Sequence, residues 1–109
     1  MRLFTTLQAT FAVRGAGHNS NPGFGSVGQQ GILLDLSAIN QITLDDDKSI
    51  ASIGPGSTWD AVYGALEEFD LTGAGGRSAN VGVGGLLLGG LTSPSFSVRH
   101  FFARLRLVT

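Results

Sequence analysis

The chain contains no cysteine, which excludes disulfides, thiolate nucleophiles and cysteine-ligated metals together. Its two histidines, His18 and His100, lie far apart, so a metal centre has little support. Charged residues make up only 14% of the sequence and hydrophobic residues 42%, the reverse of a disordered chain. Long hydrophobic runs are missing as well. The most apolar stretch, "VGVGGLLLGGL" (81–91), falls well short of the roughly 20 residues a membrane helix needs. The opening "MRLFTTLQATFAV" is interrupted by Thr5, Thr6, Gln8 and Thr10 where a secretory leader requires a continuous apolar core, so it does not read as a signal peptide. Nothing in this start fixes the compartment. No Walker lysine and no G-x-S-x-G nucleophile elbow occur, and no feature points to nucleic acid or a membrane.

Glycine is abundant, at 17 of 109 residues, and eight of these fall between Gly73 and Gly90. That density is too high for a plain core element. The length suits one small domain with a modest core. All eight acids lie at or before Asp70, against Arg2, Arg14 and Lys48; beyond Asp70 there are only Arg77, Arg99, Arg104 and Arg106. A basic, glycine-rich second part suits an anionic ligand, although four arginines can equally serve to solubilise an apolar stretch.

Periodicity predicts the elements. Leu3, Phe4, Leu7 and Phe11 fall at helical spacing, so a helix should run to about Phe11, followed by a short strand in "AVRGAG". "GILLDLS" reads as a strand buried on both faces. A hairpin is expected from Gln41–Leu44, a turn at Asp45–Lys48, and Ser49–Ile53. Ser57 should then cap a helix, with Asp60 three residues on and an apolar face of Trp59, Val62, Tyr63, Leu66 and Phe69, ending at Asp70. A short strand at Leu71-Thr72 should follow, and a helix should start within the apolar segment after the second glycine cluster.

Several motifs dissolve on inspection. "GFGSVG" (23–28) has the G-x-G-x-x-G spacing, but no helix is expected to begin there, so it reads as loop. Asp45-Asp46-Asp47 lacks the later ligands of a calcium loop. "GLLLG" (85–89) suggests close helix packing. Two clusters resist dismissal. "RGAGHN" and "GAGGRSANVGVGG" each offer successive backbone N–H groups with little side-chain bulk, the material of a phosphate nest. Either alone reads as a tight turn; the pair favours a diphosphate or a phosphate-bearing cofactor.

"FAVRGAGHNSNPGFGS", "GILLDLSAINQITLDDDKSIASIGPGSTWDAVYGAL" and "GGRSANVGVGGLLLGG", in that order and spacing over about residues 11–90, resemble the FAD-binding (PCMH-type) domain of berberine-bridge-enzyme-like FAD-linked oxidases, of the vanillyl-alcohol-oxidase superfamily and the fungal kind. The resemblance implies an α+β fold over residues 1–109: a partial FAD-binding domain of small mixed sheets, flanking helices and glycine-rich cofactor loops. It implies FAD as cofactor, held by Arg14, Gly15, Ala16, Gly17, His18 and Asn19, and by Gly76, Arg77, Ser78, Val81, Gly82, Gly84 and Gly85. His18 matches the histidine that such enzymes commonly bond to the flavin. Some members add a cysteinyl link just ahead of "VGVGG"; Ser78 stands there and cannot form a thioether.

The likeness fades near both ends. Phe96, Ser97, Arg99 and His100 still echo the family, whereas "ARLRLVT" does not, and residues 91–109 read as a divergent tail. A truncated fragment is therefore expected, lacking the substrate domain and its catalytic base, so no catalytic residue is named. In a complete relative the reaction is oxygen-linked oxidation of an alcohol or amine carbon of a small molecule. The competing expectations are a non-catalytic nucleotide or anion binder, and a non-functional truncated product.

Overall fold

The computed structural model describes residues 2–90 and 104–108. The chain runs α1 (Arg2–Thr6), β1 (Phe11–Arg14), β2 (Ile32–Asp35), β3 (Ile42–Leu44), β4 (Ile50–Ile53), α2 (Trp59–Glu67), α3 (Val83–Leu88) and β5 (Arg104–Leu107). Helices and two small sheets are mixed in one α+β arrangement, as the family resemblance implied.

The first helix is shorter than its periodicity suggested. It ends at Thr6, Gln8 turns with φ +52, and Phe11 opens β1 instead of closing α1. The apolar spacing survives as a contact: the Phe4 and Phe11 rings sit 5.7 Å apart. Strand β1 pairs parallel with β2, Phe11 opposite Ile32 and Arg14 opposite Asp35. This is a two-stranded sheet, and neither strand is buried on both faces. The continuous run "ILLD" misled because full burial needs cover on both faces, whereas Phe11, Val13 and Ile32 each stay more than a third exposed.

The hairpin forms as expected, β3 antiparallel to β4, with the Asp45 carboxylate accepting the Ile50 N–H at 2.8 Å and the Ser49 hydroxyl at 3.0 Å. Those bonds occupy Asp45 with the turn itself, and the described residues hold no metal-ligating cluster. Strand β5, which the sequence did not suggest, lies parallel to β4, Ile53 opposite Leu107. The remaining tail residues singled out above, Phe96, Ser97, Arg99 and His100, lie outside the described residues.

The core is one cluster of Ala51, Ile53, Trp59, Val62, Leu66 and Val83, all essentially inaccessible to water. Helix α2 delivers three of the six, because Trp59, Val62 and Leu66 recur at three- and four-residue steps. Burying each large side chain is worth roughly 1.5–3 kcal/mol. The helix starts one residue later than expected. Thr58 is the N-cap in place of Ser57, whose carbonyl accepts the Val83 N–H; Thr58 makes no side-chain capping bond, and the buried Ser57 hydroxyl has no partner among the described residues. It also stops early, at Glu67. Phe69 lies past the end, 43% exposed, under the Lys48 ammonium 4.4 Å from its ring centroid. Leu71 and Thr72 make no strand; Thr72 is a lone bridge position.

Candidate cofactor cleft

Strand β1 ends at Arg14, and the chain leaves it as "GAGHN". Gly17 takes φ +73, which a side chain disfavours, and the loop turns there. Among the described residues, the N–H groups of Gly15, Ala16, Gly17, His18 and Asn19 donate to no protein acceptor. A run of unspent donors in a tight turn is what a phosphate oxygen needs.

Helix α2 brings the second glycine segment to this loop. The Trp59 N–H donates to the Val81 carbonyl at 3.0 Å and the Val83 N–H to the Ser57 carbonyl at 2.9 Å, an antiparallel bridge centred on Thr58 and Gly82. In the first turn of the helix, the Asp60 carboxylate accepts the Asn80 N–H at 3.1 Å. The Thr58 hydroxyl, then that N–H, hold the Asp60 carboxyl below its ordinary pKa. So fixed, Gly82 lies against the first loop: a Cβ built on it would come within 3.0 Å of both Cβ and N of Ala16.

Between the two segments lies a cleft of about 370 Å³. Arg14, Gly15, Ala16, Gly17, His18 and Asn19 all line it, joined from the second segment by Val81, Gly82 and Gly85. Gly76, Arg77, Ser78 and Gly84 do not. Gly76 is packed beneath Trp59 and Leu86, Gly84 faces the Pro55 carbonyl, and Arg77 and Ser78 are exposed outside the cleft. Five lining residues were missed: Val13, Phe24, Gly25, Leu86 and Gly89. Phe24 and Gly25 belong to the dismissed "GFGSVG" stretch. It is indeed a loop without a helix, but it folds back onto the cleft.

The far wall is helix α3. Gly82, Gly85, Leu86 and Gly89 recur at helical spacing on one face, and that face opens on the cleft. Among the described residues, Gly85 and Gly89 therefore pack against no other helix. A Cβ at Gly85 meets nothing within 4 Å, because the space in front of it is the cleft itself.

Arg14 carries less free charge than expected. Its Nη2 donates to the Asp35 Oδ2 at 2.7 Å and its Nε to the same oxygen at 3.3 Å, while the Asp35 Oδ1 accepts the Ser37 N–H. The Arg14 hydrogen bond, then Ser37, hold the Asp35 carboxyl well below the usual carboxylate range. The Arg14 stem packs beside Gly17, whose built Cβ would lie 3.1 Å from Arg14 Cδ. Arg14 thus reaches the cleft chiefly as packing. Of the basic residues after Asp70, Arg77 and Arg106 are exposed and neither lines the cleft.

FAD sets a diphosphate between two planar ring systems. Unspent N–H groups on one wall and side-chain-free glycines on the other fit the diphosphate, and Val13, Phe24, Val81 and Leu86 add apolar surface for the rings.

Comparison with known proteins agrees. The profile of the FAD binding domain family matches residues 1–109. The FAD-dependent monooxygenase macF of Penicillium terrestre is 44% identical over 82% of this chain and 17% of its own length. The FAD-dependent monooxygenase yanF of Aspergillus niger is 42% identical over 83% of this chain and 16% of its own. The crystal structure of CrmK, a flavoenzyme of the shunt product recycling mechanism in caerulomycin biosynthesis, superimposes with a TM-score of 0.65 at 23% identity, over 75% of this chain and 16% of CrmK; it speaks for the fold. The chain spans about 17% of the length of the curated relatives it matches. With a cleft suited to a dinucleotide diphosphate and a family profile matched along the sequence, this chain belongs to the FAD binding domain family, and its cofactor is FAD.

Proposed function

We propose that the loop Arg14–Asn19 and the segment Val81–Gly85 hold the FAD diphosphate between them, in a domain comprising residues 1–109 of a flavin-dependent oxidoreductase. The observation that carries this reading is the cleft whose near wall is a run of unspent N–H groups and whose far wall is the glycine face of α3. The N–H groups of Gly15 to Asn19 orient the phosphates. Gly82 and Gly85 admit them by carrying no side chain, and Gly76 and Gly84 support the wall from behind. His18, exposed and on the cleft wall, is the candidate tether to the flavin ring. When bound, FAD supplies hydride acceptance from an alcohol or amine carbon and passes the electrons to oxygen; the protein supplies binding and orientation.

Arg14 and His18 are the ionisable residues on the cleft wall among those described, and no carboxylate joins them. That favours binding over proton transfer as this chain's own contribution. It also supports a second reading, a nucleotide binder that performs no redox chemistry. The small-molecule substrate belongs to the longer enzymes, and this chain alone turns over little of it, because positioning both reactants supplies much of an enzyme's rate.

One experiment separates these readings. The chain is produced with FAD, denatured in acid and pelleted. Yellow protein that becomes colourless in His18→Ala identifies the tether. Flavin that binds the folded chain but washes out on denaturation leaves the diphosphate cradle and removes the covalent link. A folded chain that takes up no FAD overturns the proposal.

A further inference from the structure

Phe24 is the aromatic residue on the cleft wall, and its placement is built into the loop that carries it. The Asn19 carboxamide oxygen accepts the Asn21 N–H at 3.0 Å, so this side chain is spent on a local turn instead of pointing at a ligand. The Asn21 carbonyl then accepts the Phe24 N–H at 3.2 Å, closing a second turn. Gly23 and Gly25, on either side of Phe24, take φ +83 and +66, conformations that glycine adopts without strain. The ring stands 64% exposed, and neither close ring pair among the described residues includes it. The two turns fold residues 19–25 back so that an unstacked ring borders the space reached by the N–H groups of Gly15 to Asn19.

A diphosphate cradle and a free aromatic face on one loop match one ligand chemistry: a phosphate chain attached to a planar ring. We propose that Phe24 packs against a planar ring system of bound FAD, so that this loop supplies both the phosphate donors and a ring contact. Asn19 is then a positioning residue, acting through the turn that sets Phe24 in place. The inference rests on the FAD reading above and adds which ring-contacting side chain serves it.

The test titrates the full 109-residue chain, wild type and variants, with FAD, with ADP and with inorganic pyrophosphate. Phe24→Ala should bind FAD about tenfold more weakly, the cost of one good ring contact, while pyrophosphate affinity stays at the wild-type level. Phe24→Trp should retain FAD affinity, and Phe24→Leu should fall between. If ADP weakens with FAD, the ring is the adenine; if FAD alone weakens, it is the flavin. Phe24→Ala binding FAD as tightly as wild type overturns the inference and leaves the cradle standing. Equal losses for FAD and pyrophosphate also overturn it, since the loop itself would then have moved. A wild-type chain that binds pyrophosphate but no FAD removes the reading on which the inference rests.

Discussion

The Tyr63 hydroxyl donates a 3.0 Å hydrogen bond to the Gly76 carbonyl, tying the middle of α2 to the buried start of the second glycine segment. With the Ser57, Trp59 and Asp60 bonds to residues 80–83, it makes α2 the clamp that holds one wall of the cofactor cleft. The Trp59 and Tyr63 rings, 5.8 Å apart, fill the space beneath.

Tyr63→Phe keeps the ring and removes the donor, leaving the Gly76 carbonyl unpaired. The expected cost is about 1 kcal/mol, a fall in melting temperature of about 4–8 °C for a domain of this size. Thermal denaturation followed by circular dichroism measures it, and an unchanged melting point would mean the bond adds nothing net.

Gly75 and Gly64 should respond in opposite directions to the same substitution. A Cβ at Gly75 would collide with the Trp59 ring and the Tyr63 hydroxyl, so Gly75→Ala should cost about 2 kcal/mol or more. Gly64 is exposed within α2 with nothing near a built Cβ, so Gly64→Ala should stabilise by about 0.5–1 kcal/mol. Urea denaturation of the two variants beside wild type decides both.

Gly85 should separate stability from binding. Its Cβ would enter the cleft without touching protein, and alanine favours the helix, so Gly85→Ala should be as stable as wild type or up to about 1 kcal/mol more stable. The same change, and Gly85→Val more strongly, should weaken FAD binding because it occupies ligand space. A titration of FAD fluorescence gives the affinity, and tight binding by Gly85→Val would show that the ligand does not reach α3.

Asp60 acts on the cleft from a distance. Asp60→Asn retains an oxygen that can accept the Asn80 N–H, whereas Asp60→Ala does not. Affinity for FAD should therefore hold in the first variant and fall in the second. Equal affinities would show that the bridge at Thr58 and Gly82 suffices.

The pH profile of stability should be a plateau with two edges. Asp35, Asp45 and Asp60 all have depressed pKa values in the fold, so their contribution is complete above their unfolded value of about 4 and is lost as pH falls through the folded values. Burial raises Tyr63, so its contribution holds below its unfolded value of about 10 and is lost as pH rises through the folded value. Melting temperatures from pH 2 to pH 11 trace both edges, and Tyr63→Phe should soften only the alkaline one.

Local pattern carried much of this fold. The hairpin β3–β4 was legible because its strands are bounded by a turn of polar residues, and α2 because Trp59, Val62 and Leu66 repeat at helical spacing. The ends of α2 were less legible: Ser57 looks like a better cap than Thr58 until its carbonyl is seen to be taken by Val83. Strand β5 gave little warning, since "RLRL" becomes a strand by pairing with β4, a partner some fifty residues away.

The site divides in the same way. The glycine clusters, His18 and the likeness to flavin enzymes are written in consecutive residues, and so the cofactor could be read from them. Which residues of the clusters face the cleft could not. Gly85 opens on it and Gly84 turns to Pro55 because a helix rotates neighbours by about 100°. Arg14 is drawn onto Asp35 by strand pairing, not by any nearness in sequence. Phe24 joins the wall only through two turns that fold its loop back. By itself, then, the sequence determined the local turns, the helical face and the kind of ligand, because those depend on neighbours along the chain. The tertiary structure alone decided which groups remain free to meet that ligand, because a donor or a charge is free only after every distant partner has been placed.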